Sequence, residues 1–230
     1  MTWWRGESQY EVFFNRDELK TRARAIPPQA QHTAQGVEFL APTDPDAGGT
    51  WMLVNEHGLT VCLLNRWHEE PVVDRGKSRG QLVLGMAGLT NTRQVMDNLL
   101  KIDGSPYKPF TLVAIDQGGV QIMAWNGVEL FTQKPTQPLT SSSYCYNDVK
   151  KARCTAYGRL LDMNPTSLST YQAGEPEASA FTVRMNRPDA QTWSRSRIRV
   201  SPGEIIWEYL EEMPGLGGES VRHDSGIIQR

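Results

Sequence analysis

The motif at residues 15–18 places an amide, a guanidinium and two carboxylates in succession, directly after the apolar run at residues 12–14. Groups of these types can hold a reacting group and stabilise developing negative charge. Buried charge is costly unless it is paired and hydrogen-bonded, so the cluster needs a reason at the end of an apolar strand. Two interpretations stay open: an ion network that fixes the strand end, or the electrostatic floor of a catalytic or binding site.

A second polar strand end lies further along the chain, where Asn65 and Arg66 follow the nearly all-apolar run at residues 59–64. A run of this kind is typical of a strand that is covered on both faces. If the two strand ends converge, their polar side chains would line one site at a sheet edge.

Composition and charge exclude several classes of function. The chain has 230 residues, a net charge of −2 and a pI near 6.1. These values argue against a general binder of nucleic acid or of anionic membranes, because such partners are held by a basic field. A phosphate-bearing small molecule stays compatible with them. The chain contains no run of about 18 apolar residues, the length that an integral membrane segment needs.

The cysteines and the first residues indicate the compartment. The three cysteines are odd in number and lack CxxC spacing, which is typical of a reducing environment; they are Cys62, Cys145 and Cys154. Residues 1–6 turn polar too early for a secretory signal. We expect a cytoplasmic protein with a single domain over residues 1–230 and a mobile tail from about residue 214.

The elements that position these groups follow from apolar runs and turn residues. Strand patterns with intervening turns predict two hairpins, a three-stranded meander and a final antiparallel set, at residues 2–7 with 9–15, 50–54 with 59–64, 110–116 with 120–125 and 128–132, and 180–185 with 192–200 and 204–211. Capping residues and helical spacing predict helices over residues 78–89, from residue 91 to about 102, and over 147–162. Residues 16–36, with two consecutive prolines, predict a loop.

About ten strands in consecutive antiparallel groups, with helices clustered between them, indicate the α+β class. Two stacked, mainly antiparallel sheets between helical layers would accommodate this count. They would also explain why several strands are apolar on both faces.

The motif at residues 14–19, together with Gly48-Gly49-Thr50-Trp51, resembles the NRDE family, the proteins similar to Transport and Golgi organisation protein two. The hairpin at residues 54–65 is also similar to that of penicillin V acylases and bile-salt hydrolases. The resemblance covers most of the chain and implies the four-layer α/β/β/α sandwich of N-terminal-nucleophile hydrolases. In those enzymes the residue at the mature N-terminus attacks an amide carbonyl, and its own α-amino group acts as the base.

The resemblance also implies roles for individual residues. Arg16 and Asp17 would steady the nucleophile, and Asn65 would donate a hydrogen bond to the oxyanion. Residues that would brace these groups or bind substrate are Asn15, Glu18, Trp51, Ser143, Thr192 and Arg195.

The first residues depart from the family pattern, in which a cysteine commonly follows the initiator methionine. Thr2 would be the nucleophile if Met1 were removed, since a threonine hydroxyl paired with its own amine can attack a carbonyl. The alternative expectation is that Met1 is an internal methionine and that a cysteine precedes it.

Three functions therefore stay open. The first is hydrolysis of a C–N amide bond in a small acyl substrate, without a cofactor. The second is non-catalytic carriage or trafficking of haem or an acyl lipid, with apolar walls from Trp3, Trp4, Trp51 and Trp67 and axial ligands among His32, His57, His68 and His223. The third is a scaffold whose alternating Arg195, Arg197 and Arg199 face an acidic partner. The sequence predicts neither a nucleic-acid partner nor a metal site, and it leaves a homo-oligomer open.

Overall fold

A computed structural model describes residues 1–66, 76–175, 177–213 and 220–229, and these residues form two antiparallel sheets. The five-stranded sheet has the order β1-β2-β10-β11-β12, and the seven-stranded sheet has the order β3-β4-β5-β6-β7-β8-β9. The strands are β1 (Thr2–Arg5), β2 (Tyr10–Leu19), β3 (Ile26–His32), β4 (Glu38–Thr43), β5 (Met52–Asn55), β6 (Thr60–Asn65), β7 (Phe110–Asp116), β8 (Gly119–Trp125), β9 (Leu130–Gln133), β10 (Ala190–Val200), β11 (Glu204–Glu212) and β12 (Ser220–Gln229).

Helices cover the outer faces of the two stacked sheets. The helices are α1 (Gly80–Leu84), α2 (Thr92–Leu99), α3 (Tyr146–Gly158) and α4 (Pro165–Ala173). Helices α1 and α2 pack on the seven-stranded sheet, and α4 packs on β1, β2 and β10 of the five-stranded sheet. The predicted α+β class and the four-layer sandwich are therefore confirmed.

The stacking explains the apolar run that ends at Asn65. Along β6, Cys62 and Leu64 point into the core between the two sheets, whereas Val61 and Leu63 point into the core beneath α1 and α2. Both faces of the strand are therefore buried, as its sequence predicts. The polar Asn65 is the last residue of this strand and the first exposed one.

The predicted hairpins and the meander are present, but β2 is longer than expected. It continues through residues 15–18 to Leu19, because β10 pairs with it along its whole length from Tyr10 to Leu19. The charged motif therefore lies inside a strand, where alternate side chains point to opposite faces. The expectation that it follows the end of the strand is wrong.

Two further expectations in the first half of the chain are wrong. The predicted loop at residues 16–36 contains strand β3, whose consecutive prolines Pro27 and Pro28 fall at a register shift on the edge of the sheet. Proline is tolerated there because an edge or bulged strand leaves some N–H groups outside the ladder. Helix α1 ends at Leu84, and residues up to Leu89 continue in tighter turns, consistent with the low helix propensity of Gly85 and Gly88.

The second half differs from expectation at three places. Helix α3 ends at Gly158, and a separate helix, α4, follows Asn164. Residues 180–185 form no strand: their carbonyl groups accept hydrogen bonds from side chains instead, as when Asn15 donates to Val183. The tail expected to be mobile from about residue 214 falls partly on residues 214–219, which lie outside the described residues; its remainder contains β12, which pairs with β11 and buries Ile228 between the sheets. No helix in the described ranges is long and apolar enough to cross a membrane.

Candidate functional site

A cleft of about 620 Å³ opens at the end of the two sheets where β2 and β6 present their polar residues. Its wall also includes the chain start before β1, the turn before β5, the segment before α1, and side chains from α3 and α4. Predicted site residues that line it are Asn15, Arg16, Asp17, Glu18, Trp51 and Asn65. The fold therefore brings the two polar strand segments together.

Arg16 and Glu18 lie on the face of β2 that points between the sheets. The Arg16 guanidinium lies 4.5 Å from the centroid of the Trp51 ring, a cation–π contact. Its Nη2 atom is 4.0 Å from Oε2 of Glu18. Burial lowers the pKa of Arg16 from its ordinary value, and nearby Glu18 opposes this effect. Arg16 thus remains a charged group with a loose carboxylate partner, directed into the cleft.

Asp17 lies on the opposite face of β2 and is held by two donors. The Thr192 hydroxyl donates to Oδ1 at 2.6 Å, and Nη2 of Arg153 donates to Oδ2 at 3.2 Å. Thr192 is aligned with Asp17 at an irregularity in the pairing of β10 with β2. A bulge of this kind re-aims side chains at a strand edge. Thr192 itself is buried and acts on the cleft by fixing the orientation of Asp17.

Arg153 is one of the cleft residues that the sequence interpretation missed. It lies on α3 with 8% of its surface exposed, and its Nε atom donates to the Thr182 carbonyl at 3.1 Å. Its own backbone carbonyl accepts a hydrogen bond from the Tyr171 hydroxyl at 3.1 Å. One signal was available: Arg153 follows Val149 by four residues, which places a charged residue on the face of the helix predicted to be apolar.

Asn15 anchors the layer of helices to β2. Its amide nitrogen donates to the carbonyl oxygens of Gln172 and Val183, at 3.1 Å each. Its Oδ1 atom is buried and has no hydrogen-bond partner among the described residues. Asn15 therefore holds β2 against the helical layer, and it also lines the cleft.

The glycine pair in Gly48-Gly49-Thr50-Trp51 permits a close approach of two backbone segments. A Cβ atom on Gly49 would lie 2.8 Å from the backbone of Gly80, and one on Gly80 would lie 2.8 Å from the Thr50 nitrogen. Such distances exclude a side chain at either position. The contact sets the position of Trp51 on one side and of the Arg79 backbone on the other.

Asn65 lies where the cleft meets a smaller cavity of about 150 Å³. The two cavities share Asp17, Asn65 and Arg153 in their walls, whereas Ser143 lines only the smaller one. The Asn65 side chain is exposed. An exposed amide at the end of a rigid strand can donate to a ligand in either cavity.

The start of β1 reaches the same cleft. Met1 lines it, and the α-amino group of Met1 donates to the Leu139 carbonyl at 2.9 Å. The pKa of this amine is lowered to about 5, mainly by burial and also by the charge of Arg153, while Asp17 opposes the shift. An amine at this position is therefore neutral near pH 7 and can accept a proton. Thr2 is 1% exposed within β1 and does not line the cleft.

Arg195 lies away from the cleft wall. It is paired with Glu212 on β11. The other two arginines of β10 are also paired, Arg197 with Glu11 and Glu208, and Arg199 with Glu11. These ion pairs join neighbouring strands of the five-stranded sheet. The predicted role of Arg195 in substrate binding therefore has no support from its position.

The residues named for a haem site are scattered. Trp51 lines the cleft, Trp3 is in the core between the sheets, and Trp4 is half-buried in β1. His32, His57 and His223 do not line the cleft, and His223 contacts Glu211 at 3.0 Å. Trp67 and His68 lie outside the described residues.

Solved structures show the same fold at low sequence identity. A variant of conjugated bile acid hydrolase from Clostridium perfringens matches with a TM-score of 0.54 and 12% identity, over 96% of this chain and 93% of that one. Penicillin V acylase from Agrobacterium tumefaciens matches with a TM-score of 0.54 and 13% identity, over 96% and 87% of the two chains. These similarities establish the N-terminal-nucleophile hydrolase fold predicted from the sequence.

No curated protein sequence matches this chain. The family model described as Transport and Golgi organisation 2 matches residues 1–155. This range is more than half of the length of the chain and includes β1 to β9 and most of α3. This protein belongs to the Transport and Golgi organisation 2 family.

Proposed function

We propose that this protein hydrolyses a C–N amide bond of a small acyl substrate in the cleft between β2 and β6. The observation that carries the proposal is the convergence of Arg16, Asp17 and Asn65 on the start of β1, in one cleft of about 620 Å³. The structural relatives support it, since a bile acid hydrolase and a penicillin acylase share the fold.

The proposed reaction has two stages, formation of an acyl-enzyme and its hydrolysis. A hydroxyl or thiol, carried by the residue that the mature chain presents at the cleft end of β1, attacks the carbonyl carbon and passes its proton to the neutral α-amino group. The C–N bond of the tetrahedral intermediate then breaks, and the amine leaves with that proton. Water attacks the resulting acyl-enzyme, which releases the carboxylic acid and restores the nucleophile.

The cleft residues have distinct roles in this scheme. The Asn65 amide, at the end of β6, donates to the oxyanion and so stabilises negative charge that develops only in the transition state. Arg16 contributes a buried positive charge beside the reacting carbonyl. Asp17 is a positioning residue, because Thr192 and Arg153 occupy its two oxygens.

The test is amine release from a panel of N-acyl amides with aliphatic, aryl and amino-acid leaving groups. Wild-type protein should turn over at least one of them, and Arg16→Gln should lower kcat/KM by about 100-fold or more. Arg93→Gln is the matched control, because Arg93 is exposed on α2 and does not line the cleft. Equal activity of wild type and Arg16→Gln on every accepted amide, or no turnover of any amide, would overturn the proposal.

A further inference from the structure

The lining of the cleft is positively charged although the chain as a whole is negative. Among the described residues, the cleft wall contains six cationic side chains and three carboxylates, while the chain has a net charge of −2. The cationic residues are Arg16, Arg22, Lys77, Arg79, Lys108 and Arg153, and the carboxylates are Asp17, Glu18 and Asp44. A concave site with this imbalance favours a negatively charged ligand.

The three carboxylates are already paired with other arginines. Asp17 accepts from Arg153, Asp44 is paired with Arg22, and Glu18 is the partner of Arg16. Over the described ranges of the chain, no carboxylate oxygen lies within 4.0 Å of the Arg79 guanidinium. Among the described residues, Arg79 is therefore the lining arginine that has no carboxylate partner.

The position of Arg79 is fixed by the fold. Its Nη1 atom donates to the Pro109 carbonyl at 2.8 Å, and its side chain is half-buried. The next residue, Gly80, is held against Gly49 by the close backbone contact described above. Burial also lowers the pKa of Arg79, an effect that Glu18 opposes. A fixed and partly desolvated guanidinium gains most from an anion that it can bind with two parallel hydrogen bonds.

We propose that Arg79 binds a carboxylate or phosphate oxyanion of the ligand, so that the preferred substrates are amides that carry a negative charge. The exposed Lys77, two residues earlier, adds positive charge at the same wall of the cleft. The statement that the ligand is a substrate rests on the proposed function. Binding of an anion by Arg79 does not require catalysis.

Binding of three probes of matched length tests the site: hexanoate, hexyl phosphate and neutral hexanamide, each titrated into the full chain by calorimetry at low salt. At least one anionic probe should bind about tenfold or more tightly than hexanamide, and Arg79→Gln should remove that preference. The comparison between hexanoate and hexyl phosphate identifies which oxyanion the site prefers. Arg93→Gln should keep the preference, because it removes an equal charge outside the cleft.

Two outcomes would overturn the inference: equal affinity of wild type for charged and neutral probes, or an equal loss of preference in Arg79→Gln and Arg93→Gln. If Arg79→Gln fails to fold, Arg79→Lys tests the site in its place. It keeps the charge but not the bidentate geometry and should weaken anion binding without abolishing it.

The anion site and the hydrolase activity can be contradicted independently of each other. Anion binding through Arg79 without amide turnover would contradict only the hydrolase, and turnover that ignores substrate charge would contradict only the anion site.

Discussion

Nη2 of Arg153 on α3 lies 3.2 Å from Oδ2 of Asp17 on β2, so that a helix of the outer layer holds a carboxylate of the cleft. The two residues are 136 positions apart in the sequence. The arginine side chain is 9% exposed and the aspartate side chain 20% exposed. Because the pair is largely shielded from water, the loss of one partner leaves the charge of the other poorly compensated.

Replacing this arginine should therefore destabilise the fold. We expect Arg153→Leu to lower the free energy of unfolding by about 2 kcal/mol, less than for a fully buried pair because Asp17 retains some solvent contact and its bond to Thr192. Urea unfolding followed by tryptophan fluorescence measures the change. Arg93→Leu is the control, since Arg93 and Asp97 form an exposed pair 3.9 Å apart that should contribute less than about 0.5 kcal/mol. Equal losses in the two variants would show that Asp17 does not depend on Arg153.

The asparagines at the two ends of the β5–β6 hairpin should behave in opposite ways. Asn55 is fully buried and donates to the carbonyl oxygens of Ala87 and Leu89, at 2.8 and 2.7 Å. Asn55→Ala should lower the free energy of unfolding by about 2 kcal/mol, because these buried acceptors lose their donor.

Asn65→Ala should leave stability nearly unchanged, because the side chain is exposed. It should instead lower kcat about 100-fold with little effect on KM, as the loss of an oxyanion donor does. Steady-state kinetics and thermal unfolding on both variants separate the two roles. A loss of stability in Asn65→Ala that matches its loss of activity would contradict its assignment to the oxyanion.

The three cysteines should differ in reactivity. Cys62 is fully buried between the sheets, and burial raises the pKa of its thiol well above its ordinary value, whereas Cys145 and Cys154 are exposed. Because the thiolate is the reactive form, the folded protein should be alkylated at the two exposed cysteines and protected at Cys62. Peptide mapping by mass spectrometry after brief iodoacetamide treatment, with and without denaturant, checks this. Rapid labelling of Cys62 in the native protein would contradict the buried position of β6.

The start of α4 should depend on a single cap. The Asn164 side chain accepts a hydrogen bond from the Ser167 backbone nitrogen at 3.0 Å. Asn164→Ala should lower the free energy of unfolding by about 1 kcal/mol, as the loss of an N-cap does, whereas Asn164→Asp should retain most of it. Chemical denaturation of both variants makes the comparison. Equal destabilisation by alanine and aspartate would mean that the cap bond is not what stabilises the helix.

Local sequence signals predicted the elements whose causes are local. The hairpin across Asn55 to Gly58 follows from a turn between two apolar runs, and the buried strand that ends at Asn65 follows from its continuous apolar pattern. Helix α4 was within reach of the same reasoning. Asn164 followed by Pro165 has the pattern of a helix start, with a cap and a proline at the first helical position.

Contacts between distant segments could not be predicted in this way. No local pattern indicates that Gly49 must leave room for Gly80, or that the carboxylate of Asp17 is held from α3. The length of β2 is another case, since β10 supplies the pairing that carries it past the charged motif. The sequence therefore identified one wall of the cleft by its residue types, and the opposite wall with Arg79 and Arg153 depends on the tertiary structure.

The proposed hydrolysis requires the residue at the cleft end of β1 to attack an amide carbonyl. The most direct test is to mix the protein, with its mature N-terminus, with an accepted amide, quench within milliseconds, and map the acyl group by peptide mass spectrometry. We expect the acyl mass on the N-terminal residue, and we expect Asn65→Ala to slow its appearance. An acyl group found reproducibly on another residue, such as Ser143 or Cys145, would contradict it.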